Sequence, residues 1–321
     1  MNYLRTILIT GGAGHIGSSL AKALVKDISN YIVIADNLST GRIENLPGPD
    51  YINWKFIRMD VNDFELETGP LSAFSFDYIF HYAATVGVQR TLSYPDLVKK
   101  DMIGVENICE LCATTRVKQI FYASSSEVYG SSIFPMREDE SFVECKSPYA
   151  QVKYWGENRL KFCYAKNGIK YTILRFFNTY GPAQTSDFVI PKFLKLAISN
   201  TEIPVYGDGK QTRTFCYIDD NIEATLKIFY SGLYVNEIIN IGHSQEYTIL
   251  ETAELIAALT GSSSKIIFQQ LENREEINHR KPDNSKMISI IQKPLTPLKD
   301  GLRALINNYK LTGIISNSFP N

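Results

Sequence analysis

The spacing of apolar positions changes period several times along the first 180 residues. Thr6-Ile7-Leu8-Ile9-Thr10 is a short β-branched run, residues 11–14 are a glycine-rich turn, and residues 15–26 have helical periodicity. Ile32-Val33-Ile34-Ala35-Asp36 then reads as a second strand, which completes a βαβ unit. Further strands are predicted at 54–59, 78–81, 119–123 and 171–176, with long helices at 97–115 and 148–167. The strands are apolar throughout instead of alternating, as suits a sheet covered on both faces. Strands and long helices in alternation predict an α/β fold, a Rossmann-type doubly wound parallel sheet.

After Gly181-Pro182 the rhythm shifts. Helical segments at 190–199, 219–231 and 249–259 alternate with short extended pieces such as 203–206, and Pro282, Pro294 and Pro297 break the chain into turns. The expectation is a first domain over 1–180 and a smaller mixed α/β region over 181–321, some of whose elements return to the first. Leu46-Pro47-Gly48-Pro49 reads as a loop.

Composition narrows the class. A chain of 321 residues is long enough for a sizeable core. Lys plus Arg (33) and Asp plus Glu (34) leave a net charge of −1 with no Lys/Arg-rich run, so no nucleic-acid partner is expected. No apolar stretch approaches the roughly 18 residues of a membrane span. The start runs directly into a strand without a signal-peptide pattern, and five Cys are too sparse for a disulfide framework. A cytoplasmic location is expected. Cys109-x-x-Cys112 lies inside a predicted helix with no second pair and reads as core packing, so no metal is expected.

Gly11, Gly14 and Gly17 lie between a strand and a helix, with His15 and Ile16 in the same turn. Backbone can approach a pyrophosphate there, and a helix N-terminus supplies free N–H groups. Asp36 ends the next strand about 20 residues on, the spacing of a ribose-binding carboxylate. That carboxylate would repel a 2′-phosphate, so the predicted cofactor is NAD and not NADP. Asn37, Ser39, Thr40 and Gly41 would wrap the adenosine half. Asp60 and Val61 could reach the adenine edge, although Asp60 reads equally as a strand-end turn.

Tyr149 and Lys153 are four residues apart on one helical face. An ammonium beside a phenol favours the phenolate, which makes Tyr149 a candidate base. Upstream, Ser124-Ser125-Ser126-Glu127-Val128-Tyr129-Gly130 could place a hydroxyl beside it.

With these segments in view, the chain resembles the extended short-chain dehydrogenase/reductases that remodel nucleotide sugars. The resemblance rests on TGGAGHIG at 10–17, DNLSTGR at 36–42, HYAA at 81–84, SSSEVYG at 124–130, SPYAQVK at 147–153, RFFNTYGP at 175–182, YGDGKQTRTFCYIDD at 206–220, NIG at 240–242 and RKPD at 280–283. It implies a Ser125, Tyr149 and Lys153 triad, in which Tyr149 deprotonates a sugar 4-hydroxyl as hydride passes from C4 to NAD. It also implies cofactor contacts at Ala83 and Ala84, and substrate contacts at Asn178, Arg213, Asn240, Arg280 and Asp283. Family members usually dimerise through two helices per subunit, and 97–115 with 148–167 are the candidates here.

Some positions depart from the family pattern. His15 stands where an aromatic is usual, and Asp101 and Val105 replace the Asn and Thr of the common N-x-x-G-T helix. Glu127 lies two residues after Ser125, and strand alternation puts it on the same side as that serine, where it could act at C5. Its other reading is a surface or hydroxyl-binding Glu. Ser126 stands where 4,6-dehydratases carry Asp, so the Ser-Glu pair is closer to UDP-glucuronate decarboxylases. The stretch Thr85-Val86-Gly87-Val88-Gln89-Arg90 is closer to uronate or hexosamine 4-epimerases, and Arg90 reads either as a substrate contact or as a solvated loop residue. Arg213 suits a diphosphate, because a guanidinium holds two oxygens in parallel. Arg280 suits the diphosphate, a uronate carboxylate, or an ion pair with Glu275 or Glu276. The leading expectation is decarboxylation of a UDP-uronate through a 4-keto intermediate. The alternatives are a UDP-sugar 4-epimerase, a nucleotide-sugar dehydratase, and a non-catalytic NAD-binding regulator.

Overall fold

The computed structural model describes residues 3–63, 69–130, 135–139, 145–270 and 280–312. The first half runs β1 (Arg5–Thr10), α1 (His15–Leu24), β2 (Asn30–Asp36), β3 (Trp54–Arg58), β4 (Tyr78–His81), α2 (Val88–Ser93), α3 (Pro95–Thr115), β5 (Gln119–Ser125), α4 (Pro148–Asn167) and β6 (Lys170–Phe176). Next come β7 (Thr179–Tyr180), α5 (Val189–Ile198), β8 (Ile203–Tyr206), β9 (Thr212–Thr214), β10 (Cys216–Tyr217) and α6 (Ile218–Ser231). The chain continues with β11 (Glu237–Ile241), β12 (Glu246–Thr248), α7 (Ile249–Thr260), β13 (Ile266–Gln269), α8 (Ser285–Ile291) and α9 (Leu298–Leu311).

Seven parallel strands form one sheet in the order β11-β6-β5-β4-β1-β2-β3. Side chains alternate across it: Ile7 and Ile9 join one apolar cluster with Leu20, Phe80 and Leu174, while Leu8 joins another with Ile79, Ile108 and Ile173. The inner strands β1, β2 and β4 bury both faces, so their middles are apolar without alternation, while the edge strand β3 exposes Lys55 and Arg58. Strand order reverses between β1 and β4, which opens a crevice at their C-terminal ends. Thr10 pins that crevice: its hydroxyl lies 2.8 Å from His81 Nδ1 and accepts the Tyr82 and Ala83 N–H groups at 3.1 and 3.2 Å.

β11, from beyond residue 180, returns to pair with β6 in the sheet of the first half. Two differences from the sequence reading have local causes. The proline-rich tail holds two helices where only turns were read. Pro297 stands immediately before α9, where its fixed φ and missing N–H are tolerated. The six-residue α2 was read as loop; it is too short for its periodicity to register. Cys109 and Cys112 are buried in the apolar face of α3 with free thiols.

Beneath the C-terminal ends of β5 and β6 lies a buried ion pair. Arg175 donates to both oxygens of Glu157, Nε to Oε1 at 2.9 Å and Nη2 to Oε2 at 2.7 Å, and Ser124 also donates to Oε1 at 2.5 Å. The guanidinium sits 4.6 Å from the Tyr129 ring centroid, and the Tyr129 hydroxyl donates to Asn240 on β11. Removing one member of such a pair strands the other charge in the interior. Glu157→Gln should therefore lower unfolding free energy by about 3–5 kcal/mol, and Glu157→Leu with Arg175→Met should recover most of it in urea denaturation. Equal losses in the single and double variants would contradict the assignment.

Candidate active site

A cavity of about 1060 Å³ runs from the β1–β4 crevice to the loops of the second half. One end is built by the turn between β1 and α1. Gly11 has φ +66°, and a Cβ there would meet the Ala83 backbone at 2.7 Å. A Cβ at Gly17 would overlap the Gly11 carbonyl. The protein's own backbone, more than any ligand, excludes side chains at these two positions. Gly14 differs, since a Cβ there meets only the Gly11 oxygen, at 3.2 Å, and the residue lines the cavity. No side chain caps the N-terminus of α1, which leaves its first-turn N–H groups available to an anion.

His15, Ile16, Asp36, Asn37, Ser39, Thr40, Asp60, Val61, Ala83 and Ala84 all line this half. Asp36 is buried, and its two oxygens accept the N–H groups of Ala13 at 2.9 Å and Leu38 at 2.7 Å. Each oxygen keeps a lone pair for a ribose hydroxyl. Burial pushes the His15 imidazole down to about 3, so it stands neutral beside the glycine turn. Gly41 packs against Ala13 and the Asp36 carboxylate and does not line the cavity. The glycine cradle, the uncapped helix and the ribose-facing carboxylate fit a dinucleotide.

The other half gathers around Tyr149. Ser147 caps α4 by accepting the Ala150 N–H at 3.0 Å, and Pro148 follows it, so Tyr149 is fixed in the first turn. The Ser125 hydroxyl hydrogen-bonds Tyr149. Burial and the Glu127 charge nevertheless hold the phenol well above its usual range, while Ser125 and Arg280 pull the other way. Lys153 donates to the Ala123 carbonyl at 2.7 Å, with Nζ 5.8 Å from the Tyr149 ring centroid, and burial pushes it down to about 8. This corrects the expectation that the lysine already favours the phenolate: here the stronger neighbour is an anion, and the phenol is neutral.

Glu127 reaches Ser125 by a different route from the one expected. β5 ends at Ser125, and residues 126–129 form a 3-10 turn, so strand alternation does not apply. The Glu127 N–H donates to Ser125 Oγ at 3.2 Å. Its carboxylate accepts Ser147 Oγ at 2.9 Å and lies 3.9 Å from Arg280 Nη1. Ser147 was not singled out from sequence, although SPY before a helical run carries the signal of a cap. Glu275 and Glu276, the other partners considered for Arg280, lie outside the described residues.

Ser126, Asn178, Arg213, Arg90 and Arg280 line the cavity. Asn240 and Asp283 do not, which corrects their reading as substrate contacts. Asn240 is fully buried, accepting from Tyr129 at 2.8 Å and donating to the Met136 and Asp283 carbonyls at 3.0 and 3.1 Å. Asp283 accepts the Ser285 N–H at 3.0 Å at the start of α8 and pairs with Arg137. Both hold the 280–283 segment in place, and so place Arg280.

Comparison with known proteins matches this arrangement. Residues 7–242 match the model of the NAD dependent epimerase/dehydratase family. The chain belongs to that family. It is 37% identical to a UDP-N-acetyl-alpha-D-glucosaminuronate decarboxylase of Bacillus cytotoxicus, over 94% of this chain and 97% of that protein. Among solved structures, UDP-glucose 4-epimerase from Thermotoga maritima with UDP-glucose superposes with TM-score 0.87 at 29% identity, covering 96% of this chain and 99% of that one. UDP-glucuronic acid 4-epimerase from Bacillus cereus, in complex with UDP-glucuronic acid and NAD, gives the same TM-score, identity and coverage. The protein is an enzyme of this family, and its cofactor is NAD.

Gly17→Ala tests the cradle. The added methyl has only backbone to meet, so the variant should lose about 1–3 kcal/mol of stability and bind NAD more weakly by titration calorimetry. Unchanged melting and affinity would contradict the packing described.

Proposed function

We propose that the enzyme decarboxylates a UDP-linked uronate through oxidation at C4. The observation that carries this reading is the pairing of Glu127 with Arg280 beside Tyr149, with a serine at 126. An epimerase needs hydride out, rotation of the keto sugar and hydride back, and no further acid–base group. A dehydratase needs an acid for the departing 6-hydroxyl, and Ser126 supplies none.

Residues of the glycine turn and Asp36 would hold NAD, which supplies the hydride acceptor and donor. Tyr149, once it has lost its own proton to solvent, takes as phenolate the proton of the sugar 4-hydroxyl as hydride leaves C4, Ser125 holds the resulting carbonyl oxygen, and Lys153 orients the ribose. The 4-keto uronate is a β-keto acid: the C5–C6 bond breaks, its electrons enter the C4 carbonyl, and CO₂ leaves. Glu127 then passes a proton taken up from solvent to C5, and hydride returns to C4 as Tyr149 gives its proton back. Arg280 orients the uronate carboxylate, while Arg213 serves the diphosphate. The decarboxylase relative supports this reading, since its 37% identity extends over nearly the whole of both chains.

4-Epimerisation of a uronate is the second reading. It is favoured by Thr85, Val86, Gly87 and Arg90 lining the cavity, and by the glucuronate epimerase among the structural neighbours. Incubation with NAD and either UDP-glucuronate or its 2-acetamido analogue, followed by proton NMR, separates the two. A pentose product with CO₂ release is expected, and a galacto-configured uronate would overturn the decarboxylase reading. Tyr149→Phe should keep NAD affinity and lose about 10²–10⁴-fold in turnover. Full turnover by that variant would point to a non-catalytic tyrosine.

The enzyme is further proposed to be a homodimer joined through α3 and α4. Leu97, Ile103 and Phe162 on these helices are 40%, 50% and 56% exposed, an apolar load heavy for a free surface. Light scattering should give twice the 36.3 kDa of the chain. The single-chain mass would contradict the dimer.

A further inference from the structure

Asp101 lies on α3 and faces the same cavity as Tyr149 and Lys153. Its Oδ2 accepts the Thr85 N–H at 2.7 Å, and Oδ1 lies 3.3 Å from Thr85 Oγ1 and 3.5 Å from Asn62 Nδ2. Gly104, one turn on, is pressed against Asn62 and Val61 with no room for a Cβ, so this part of α3 is held close to the 61–63 turn. An asparagine carbonyl would accept the Thr85 N–H equally well. What the acid adds at this position is a negative charge.

We propose that Asp101 works through that charge as a positioning residue, holding Lys153 as an ammonium and Tyr149 as a neutral phenol. The inference rests on the roles proposed above for those two side chains. Lys153 is faced by the Ala123 carbonyl and the Tyr122 ring from β5, by neutral His81 from β4, by Glu157 along α4, and by Asp101 from α3. Glu157 is already matched by Arg175. Asp101 is the larger of the two anionic influences opposing the burial of Lys153. Tyr149 is faced by Ser125, Glu127 and Arg280 as well as by Asp101, whose charge disfavours the phenolate. Burial raises the Asp101 carboxyl itself, while the Thr85 and Asn62 donors and the Lys153 charge favour its ionised form.

The sign follows directly: with the anion gone, both Lys153 and Tyr149 deprotonate at lower pH. In Asp101→Asn, both limbs of the kcat/KM profile, which follow the loss of the Lys153 and Tyr149 protons, should move to lower pH. A direct readout uses the full chain with NAD and ¹³Cε-labelled lysine, the Lys153 signal being assigned with Lys153→Arg. Its titration midpoint should fall by about 1 pH unit in Asp101→Asn and return in Asp101→Glu. An unmoved midpoint in the folded variant overturns the proposal and leaves Asp101 as a hydrogen-bond acceptor alone. Should Asp101→Asn not fold, the wild-type Asp101 ¹³Cγ signal must show a step at the Lys153 midpoint, and its absence overturns the proposal equally. Neither NMR readout needs a sugar substrate, so a moved midpoint without uronate turnover refutes the reaction and not the role of Asp101.

Discussion

Arg175 and Glu157 retain 2% and 0% of their side-chain exposure, so neither charge has water to solvate it. They stand as ions because each satisfies the other in two parallel hydrogen bonds. The contact joins the elements that carry the chemistry. Glu157 follows Lys153 by one turn of α4, Ser124 precedes Ser125 at the end of β5, and Arg175 leads through Tyr129 to Asn240 and the segment bearing Arg280. Ser125, Tyr149, Lys153 and Arg280 come from distant parts of the sequence, and one buried polar chain sets their relative positions.

The cavity mouth is organised by a second, smaller device. The Thr10 hydroxyl ties the end of β1 to the end of β4 at the point where strand order reverses, which is where a parallel sheet opens a crevice. The dinucleotide cradle is thus fixed by sheet topology, while the sugar half is fixed by the ion pair. Between them lies a region rich in carboxylates. Asp101, Glu127 and Glu157 stand with one ammonium and two guanidinium groups, and the phenol among them is neutral at rest. To take the proton of a sugar hydroxyl, that phenol must first give up its own.

The parallel sheet was legible because both of its faces are buried, and Ile7, Leu8 and Ile9 advertise that without reference to anything distant. The glycine turn, Asp36 and the Tyr149–Lys153 spacing were legible for the same reason: each is a local pattern tied to one backbone geometry. What sequence spacing could not show is which way a side chain is engaged. Asn240 and Asp283 sit in conspicuous motifs, yet the Asn240 amide donates to backbone carbonyls more than 40 residues away and Asp283 caps the start of α8 through Ser285, so they brace the substrate segment without meeting it. Glu127 was placed correctly beside Ser125 for the wrong reason, since a 3-10 turn and not a strand brings it there. The neutral state of Tyr149 depends on burial and on carboxylates from α3 and from the turn after β5. No spacing within YAQVK records either of them.

The account stands on hydride leaving and returning at C4 of the sugar within one active site. The direct test is a uronate substrate carrying deuterium at C4, incubated with the NAD-loaded enzyme in ordinary water. The account predicts a transient reduced-nicotinamide absorbance in a single turnover and a product that keeps its deuterium at C4. Product that has lost the label to solvent, or turnover without the transient band, would contradict it.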